Sequence, residues 1–103
     1  MYAVIYRFKV IQGKEVAFEN LWRAITKAFM AHAEGLGSRL HKTKAGVYIA
    51  YAQWPSKNHW KSAKEKLSES DLEIIQNMND CCETATVLHQ MEVMDDLLVF
   101  PST

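Results

Sequence analysis

The hydrophobic period of this chain switches twice from two to about 3.6, each time at residues that cannot extend a strand. The first switch follows residues 2–10, where Tyr2, Val4, Tyr6, Phe8 and Val10 alternate with Ala3, Ile5, Arg7 and Lys9. Gln12-Gly13 turns the chain. From residue 14 to about 34, Phe18, Leu21, Trp22, Ile25, Ala28 and Phe29 then fall on one helical stripe. The second switch follows residues 47–54, VYIAYAQW, a run rich in β-branched and aromatic residues. Pro55 has no N–H for a ladder, and Ser56 is placed to cap a helix over residues 57 to about 67, whose apolar stripe is only Trp60, Ala63 and Leu67. Each switch is a strand feeding a helix. Two of them in one short chain call for two crossovers in one sheet.

The remaining segments complete that plan. Residues 38–44 read as a polar strand, and Ala45-Gly46 makes it a hairpin with 47–54. Gly35 and Gly37 bracket the end of the first helix, where a glycine is the usual stop. Ser70-Asp71-Leu72-Glu73 fits a capping box ahead of a helix in which Leu72, Ile75, Met78 and Cys82 are spaced for burial. Residues 84–93 alternate loosely as a fourth strand, and 94–100 form an apolar tail interrupted by Asp95 and Asp96. Strand, helix, strand, strand, interrupted helix, strand, with right-handed crossovers, predicts an α+β fold. It is a ferredoxin-like split βαβ sandwich with a four-stranded antiparallel sheet. No linker or repeat divides residues 1–103, which form a single domain.

That plan leaves one side of the sheet uncovered, yet both parities of the first and third strands carry apolar or aromatic residues. Sheet-on-sheet packing with a second copy resolves the excess, so we expect a homodimer, its contact extended by the tail from Leu97 to Phe100. Lys plus Arg and Asp plus Glu number twelve each, which removes the bulk electrostatic case for nucleic acid. No apolar run approaches the roughly 20 residues that span a bilayer, and the first residues lack the pattern of a signal peptide. The expectation is a cytoplasmic protein with neither nucleic acid nor membrane as partner. Adjacent Cys81 and Cys82 read as two small apolar residues rather than a disulfide.

The densest supply of ring faces and polar handles is GVYIAYAQWPSKNHW, residues 46–60. Ala50 and Ala52 there share a face with Tyr48 and Trp54, so something bulky could approach the sheet closely. Trp54, Trp60, Tyr6 and Tyr51 can wall a pocket, and Arg39, His41 or Asn58 can stabilise an anion. Trp22 and Phe29 share a stripe with Leu21 and Ile25 and read as core. Arg39 and His41, two apart on one strand, fit either a solvated edge or an anion-binding pair. His32, His41, His59 and His89 show no metal-ligand spacing. The lysines at 57, 61, 64 and 66 read as a wet helix face.

Over nearly its whole length the chain resembles the antibiotic biosynthesis monooxygenase domain, of the dimeric α+β barrel superfamily. The residues that carry the resemblance are Phe8-Lys9-Val10, Gly13-Lys14-Glu15, Gly35-Leu36-Gly37-Ser38 and the run from Tyr48 to Ser56. Trp60-Lys61-Ser62, Glu92-Val93 and Asp96-Leu97-Leu98 complete it. The resemblance implies a barrel formed by two chains and oxidation of a small aromatic or quinol-type substrate by dioxygen, with no metal, flavin or haem. In such chemistry the deprotonated substrate supplies the electrons, and the protein binds it flat, stabilises the anion and excludes water. The polyketide oxygenases' Asn and Trp after strand three are only loosely echoed by Asn58 and Trp60. The haem-degrading branch matches at Trp60 but calls for a His where Ser70 stands and an Asn where Tyr6 stands, which leaves iron without an obvious ligand. Because no acid, base or nucleophile is positioned unambiguously, a non-catalytic ligand-binding or accessory dimer stands beside the enzyme as the alternative.

Overall fold

The computed structural model describes residues 1–99. In chain order the elements are β1 (Tyr2–Val10), α1 (Glu15–His32), β2 (Ser38–Lys44), β3 (Val47–Trp54), α2 (Lys57–Ser62), a 3₁₀ turn (Ala63–Lys66), α3 (Glu69–Asp80) and β4 (Cys82–Glu92). The strands form one sheet in the order β2-β3-β1-β4, antiparallel throughout. This is the ferredoxin-like arrangement read from the sequence. Strands β1, β2 and β3 begin and end where the sequence places them.

Strand register decides what each side of the sheet carries. Tyr6 opposes Ala50, Phe8 opposes Tyr48, Val4 opposes Ala52 and Tyr2 opposes Trp54. Directly opposed residues share a face, and this face takes the helices. Phe18 of α1 is fully buried, 5.1 Å from Phe8 and 5.0 Å from Tyr48 between ring centroids. Ile25 and Ala28 of α1 and Met78 of α3 close that cluster. A second cluster joins Tyr2, Val4, Ala33, Trp54 and Ala63 under Trp60. The other face presents Ile5 opposite Tyr51 and Arg7 opposite Ile49, with Arg39 opposite Tyr51, His41 opposite Ile49 and His89 opposite Ile5. No element of the chain covers it among the described residues.

The helices depart from the sequence reading in four places. α1 is shorter at both ends, and the left-handed residue at its exit is Glu34 (φ 59°), while Gly35 has no positive φ. The reason is local: Ala33 and Gly35 both donate their N–H groups to the Phe29 carbonyl, and a Cβ on Gly35 would stand 3.3 Å from that peptide. Gly35 is needed for close approach rather than for its φ. The helix expected over 57–67 is α for six residues and then tightens into the 3₁₀ turn, with Leu67 extended. Its Ser56 cap is as expected, accepting from the His59 N–H at 3.2 Å.

The cap of α3 is Ser68, not Ser70. Ser68 has extended backbone and accepts from the Asp71 N–H at 3.1 Å, so the helix starts earlier. Two overlapping Ser-x-x-acid patterns compete there, and the first wins. Leu72 is turned out (40% exposed), Ile74 and Ile75 pack on the core, and Cys81 is the buried cysteine while Cys82 opens β4. Leu97, Leu98 and Val99 are exposed; Phe100 lies outside the described residues.

Candidate functional site

Between the helix-bearing face of the sheet and the helices α1 and α3 lies a cavity of about 280 Å³. That is near the lower end of the ~300–1,000 Å³ usual for ligand pockets, room for a small ring system. Ala50 and Ala52, 1% and 8% exposed, form part of its wall, where larger side chains would fill it. Trp22, Phe29, Phe8 and Trp54 supply ring surface, and Thr26, Gln53, Asn79 and Thr86 supply polar atoms. A shallower hollow adjoins it, lined by Tyr6, Lys57, Trp60, Lys61, Lys64, Val87 and Gln90. Tyr6, Lys64 and Val87 border both the inner cavity and the outer hollow.

Two polar groups on these walls have unused hydrogen-bonding capacity. The Trp60 Nε1–H donates to Tyr6 Oη at 2.7 Å. That bond uses an acceptor site of the hydroxyl and leaves its own O–H without an acceptor among the described residues. Burial raises the Tyr6 pKa above its usual value of 10, and the bond from Trp60 offsets part of the rise. Tyr6 is therefore a neutral donor at physiological pH. Trp54 is 4% exposed, packs edge-on against Phe29 at 5.3 Å, and its buried Nε1 has no hydrogen-bond partner among the described residues. An unsatisfied buried donor costs about 1–3 kcal/mol, and this one is covered by protein rather than presented to the cavity.

The charge at the site has one sign. Neither hollow is lined by Asp, Glu, His or Cys among the described residues, whereas three lysines line the outer one. No group of three metal-ligating side chains comes together among the described residues. The vicinal thiols are remote from this chemistry: Cys81 is buried, and burial with its neighbour pushes Cys82 up to about 11.

Of the residues singled out in the sequence, Tyr6, Trp54 and Trp60 come together here. Arg39, His41 and Tyr51 do not, because their register puts them on the opposite face of the sheet. No cavity within one chain can join them to Trp60. Asn58 is exposed on α2, offers its carbonyl to Ser62, and lines neither hollow. His59 is held outside by Ser56 Oγ at 2.7 Å and Glu34 at 3.2 Å. Sequence reasoning missed Thr26, Asn79 and the three lysines, whose roles follow from how the helices sit on the sheet. Trp22 and Phe29, read as core, pack on the core and border the cavity at once.

Solved structures share this fold. SnoaB, a cofactor-independent oxygenase from Streptomyces nogalater, superposes with TM-score 0.77 at 16% identity, covering 93% of this chain and 95% of its own. Rv0793 from Mycobacterium tuberculosis gives 0.74 at 16% identity, over 94% and 98% of the two chains. A structure described as an antibiotic biosynthesis monooxygenase gives 0.71 at 15%, over 92% and 100%. Neither a protein-family model nor a curated sequence matches the chain. The resemblance noted in the sequence thus holds for the fold: this chain has the architecture of the antibiotic biosynthesis monooxygenases.

Proposed function

We propose that the protein is a monooxygenase-like enzyme that oxidises a small aromatic or quinol-type substrate with dioxygen and needs no cofactor, working as a cytoplasmic homodimer. The observation that carries this reading is the Tyr6 hydroxyl, fixed by Trp60 at 2.7 Å with its O–H free, on a residue that borders both a ring-lined cavity and a cationic hollow. A substrate lying flat in the cavity would place an oxygen substituent towards Tyr6 Oη. The Tyr6 O–H and the Lys64 ammonium favour its ionised form, which is the form that reduces dioxygen. Electron transfer from the ionised ring to dioxygen, followed by recombination and loss of water, converts a quinol to a hydroxyquinone. One oxygen atom enters the ring and the other leaves as water, so no external reductant is required. The free thiols of Cys81 and Cys82 accord with a reducing compartment.

Oxygen uptake with a panel of quinols and dihydroxyaromatics tests this. The expected result is one dioxygen consumed per substrate and at least a hundredfold loss of kcat in Tyr6→Phe, in the range of about 10²–10³ for one oxyanion donor. Uptake no faster than with heat-denatured protein would refute it. A second reading rests on the absence of Asp, Glu, His and Cys from both hollows among the described residues: a ligand-binding or accessory dimer without turnover. Thermal stabilisation by a quinol that is recovered unchanged in air would select it.

A further inference from the structure

We infer that the ligand of this site is an anion: a compound with an apolar ring system for the inner cavity and a carboxylate, or similarly charged group, held by Lys57, Lys61 and Lys64. The inference rests on the cavity being the ligand site and adds the class of ligand. Lys57 and Lys61 are four apart, Lys61 and Lys64 three apart, so their ammonium groups gather on the side of this segment that also carries Trp60. Like charges at that spacing repel, and among the described residues none of the three is in an ion pair. Glu65 and Glu69 lie nearby in sequence but line neither hollow. In a chain of zero formal net charge, with twelve acidic residues available, a hollow lined by three cations and no carboxylate is a local excess.

The excess sits where a ligand's outer end would be. Lys64 borders the inner cavity as well as the outer hollow, and Lys57 and Lys61 border only the outer one. A ring in the cavity would therefore leave its charged substituent among Lys57, Lys61 and Lys64, with the Trp60 indole alongside. Exposed lysines bind anions weakly one at a time, but three converging on one carboxylate, with the apolar half anchored, discriminate charge by about tenfold.

A matched pair of probes, naphthylacetate and neutral naphthylacetamide, separates the terms. Binding is followed by quenching of tryptophan fluorescence and by calorimetry on the intact protein. The expected result is that both bind and the carboxylate binds about tenfold tighter, a preference largely erased between roughly 0.05 and 0.5 M salt. Replacing Lys57, Lys61 and Lys64 together by Gln should bring the carboxylate to within about twofold of the amide and leave the amide unchanged. Replacing exposed Lys14, Lys27 and Lys44 by Gln, the same change in net charge, should keep the preference. Equal affinities in the native protein, or a preference surviving the first triple substitution, would overturn the inference while leaving oxidation of neutral quinols intact. If neither probe bound, the cavity itself would fail as the ligand site, and the inference with it. Lack of oxygen uptake bears on neither outcome, since only binding is read.

Discussion

Tyr6 and Trp60 are 54 residues apart in sequence and meet through one hydrogen bond, so each can be tested through the other. Trp60→Phe keeps a ring but removes the donor, and the bond from Trp60 is what holds the Tyr6 pKa down against burial. The variant should lose about 1 kcal/mol of stability, and its Tyr6 should ionise at higher pH than in the native protein, read from tyrosinate absorbance against a Tyr6→Phe control. An unchanged titration would mean the bond does not form in solution. Tyr48 offers a second test. Burial, then its 2.6 Å bond to the Glu19 carboxylate, pushes it from 10 up to about 12. A folded-state value above the unfolded one means that the folded state holds the proton more tightly. That stabilisation is fully present below pH 10 and is lost as pH rises towards 12. Urea unfolding at stepped alkaline pH should show stability falling through that window, and less steeply in Tyr48→Phe. An equal slope in the two proteins would refute the assignment.

Strands β1 to β3 were legible in the sequence because each has a hard stop: Gln12-Gly13 after β1, Ala45-Gly46 between β2 and β3, Pro55 after β3; β4 has none, and it runs over Cys82–Glu92 rather than the expected 84–93. Helix ends were less so. Ser68-x-x-Asp71 and Ser70-x-x-Glu73 are near-equal caps by pattern, and only packing of Met78 and Cys81 into the core selects the first. Ser68→Ala should therefore cost about 1 kcal/mol and Ser70→Ala less than about 0.5 kcal/mol in thermal or urea unfolding. The reverse order would restore the sequence-based cap. The exit of α1 carries a similar lesson. Glu34 holds a left-handed conformation that a glycine accepts without strain, and its contact with His59 is largely exposed. Glu34→Gly is expected to stabilise the protein by about 0.5–1 kcal/mol; a destabilised variant would show that the His59 contact outweighs the strain. Alternation also could not say which face of the sheet takes the helices. For that reason the sequence reading groups Arg39, His41 and Tyr51 with Trp60, and the register separates them. The lysines were read as a solvated face, which they are; that the face borders a hollow is a tertiary fact no helical period encodes.

At the scale of the whole molecule, the uncovered face of the sheet is the ground for the proposed dimer. Four strands ~4.8 Å apart and about eight residues long present roughly 500 Å² on one side, and Ile5, Ile49 and Tyr51 there are already half-buried by their neighbours. A stable interface takes roughly 800 Å² from each partner, so the sheet alone falls short. Leu97, Leu98 and Val99, 84%, 67% and 88% exposed, are the apolar surface available to make up the difference. Packing two sheets face to face with the tails crossing would also bring Arg39 and His41 to the interface, giving them a structural setting apart from the cavity. The chain should thus sediment at twice its 11.8 kDa mass at micromolar concentration. Ile49→Glu with Tyr51→Glu places two charges on each copy's contact face, four where the sheets meet, and should dissociate the dimer outright. Removal of the residues after Met94 should leave the sheet contact and weaken association at least tenfold. These two outcomes are separable by sedimentation equilibrium over a concentration series. A native protein that stays at 11.8 kDa throughout would mean that the sheet is solvated as it stands, and a truncated chain that associates as tightly as the native one would confine the interface to the strands.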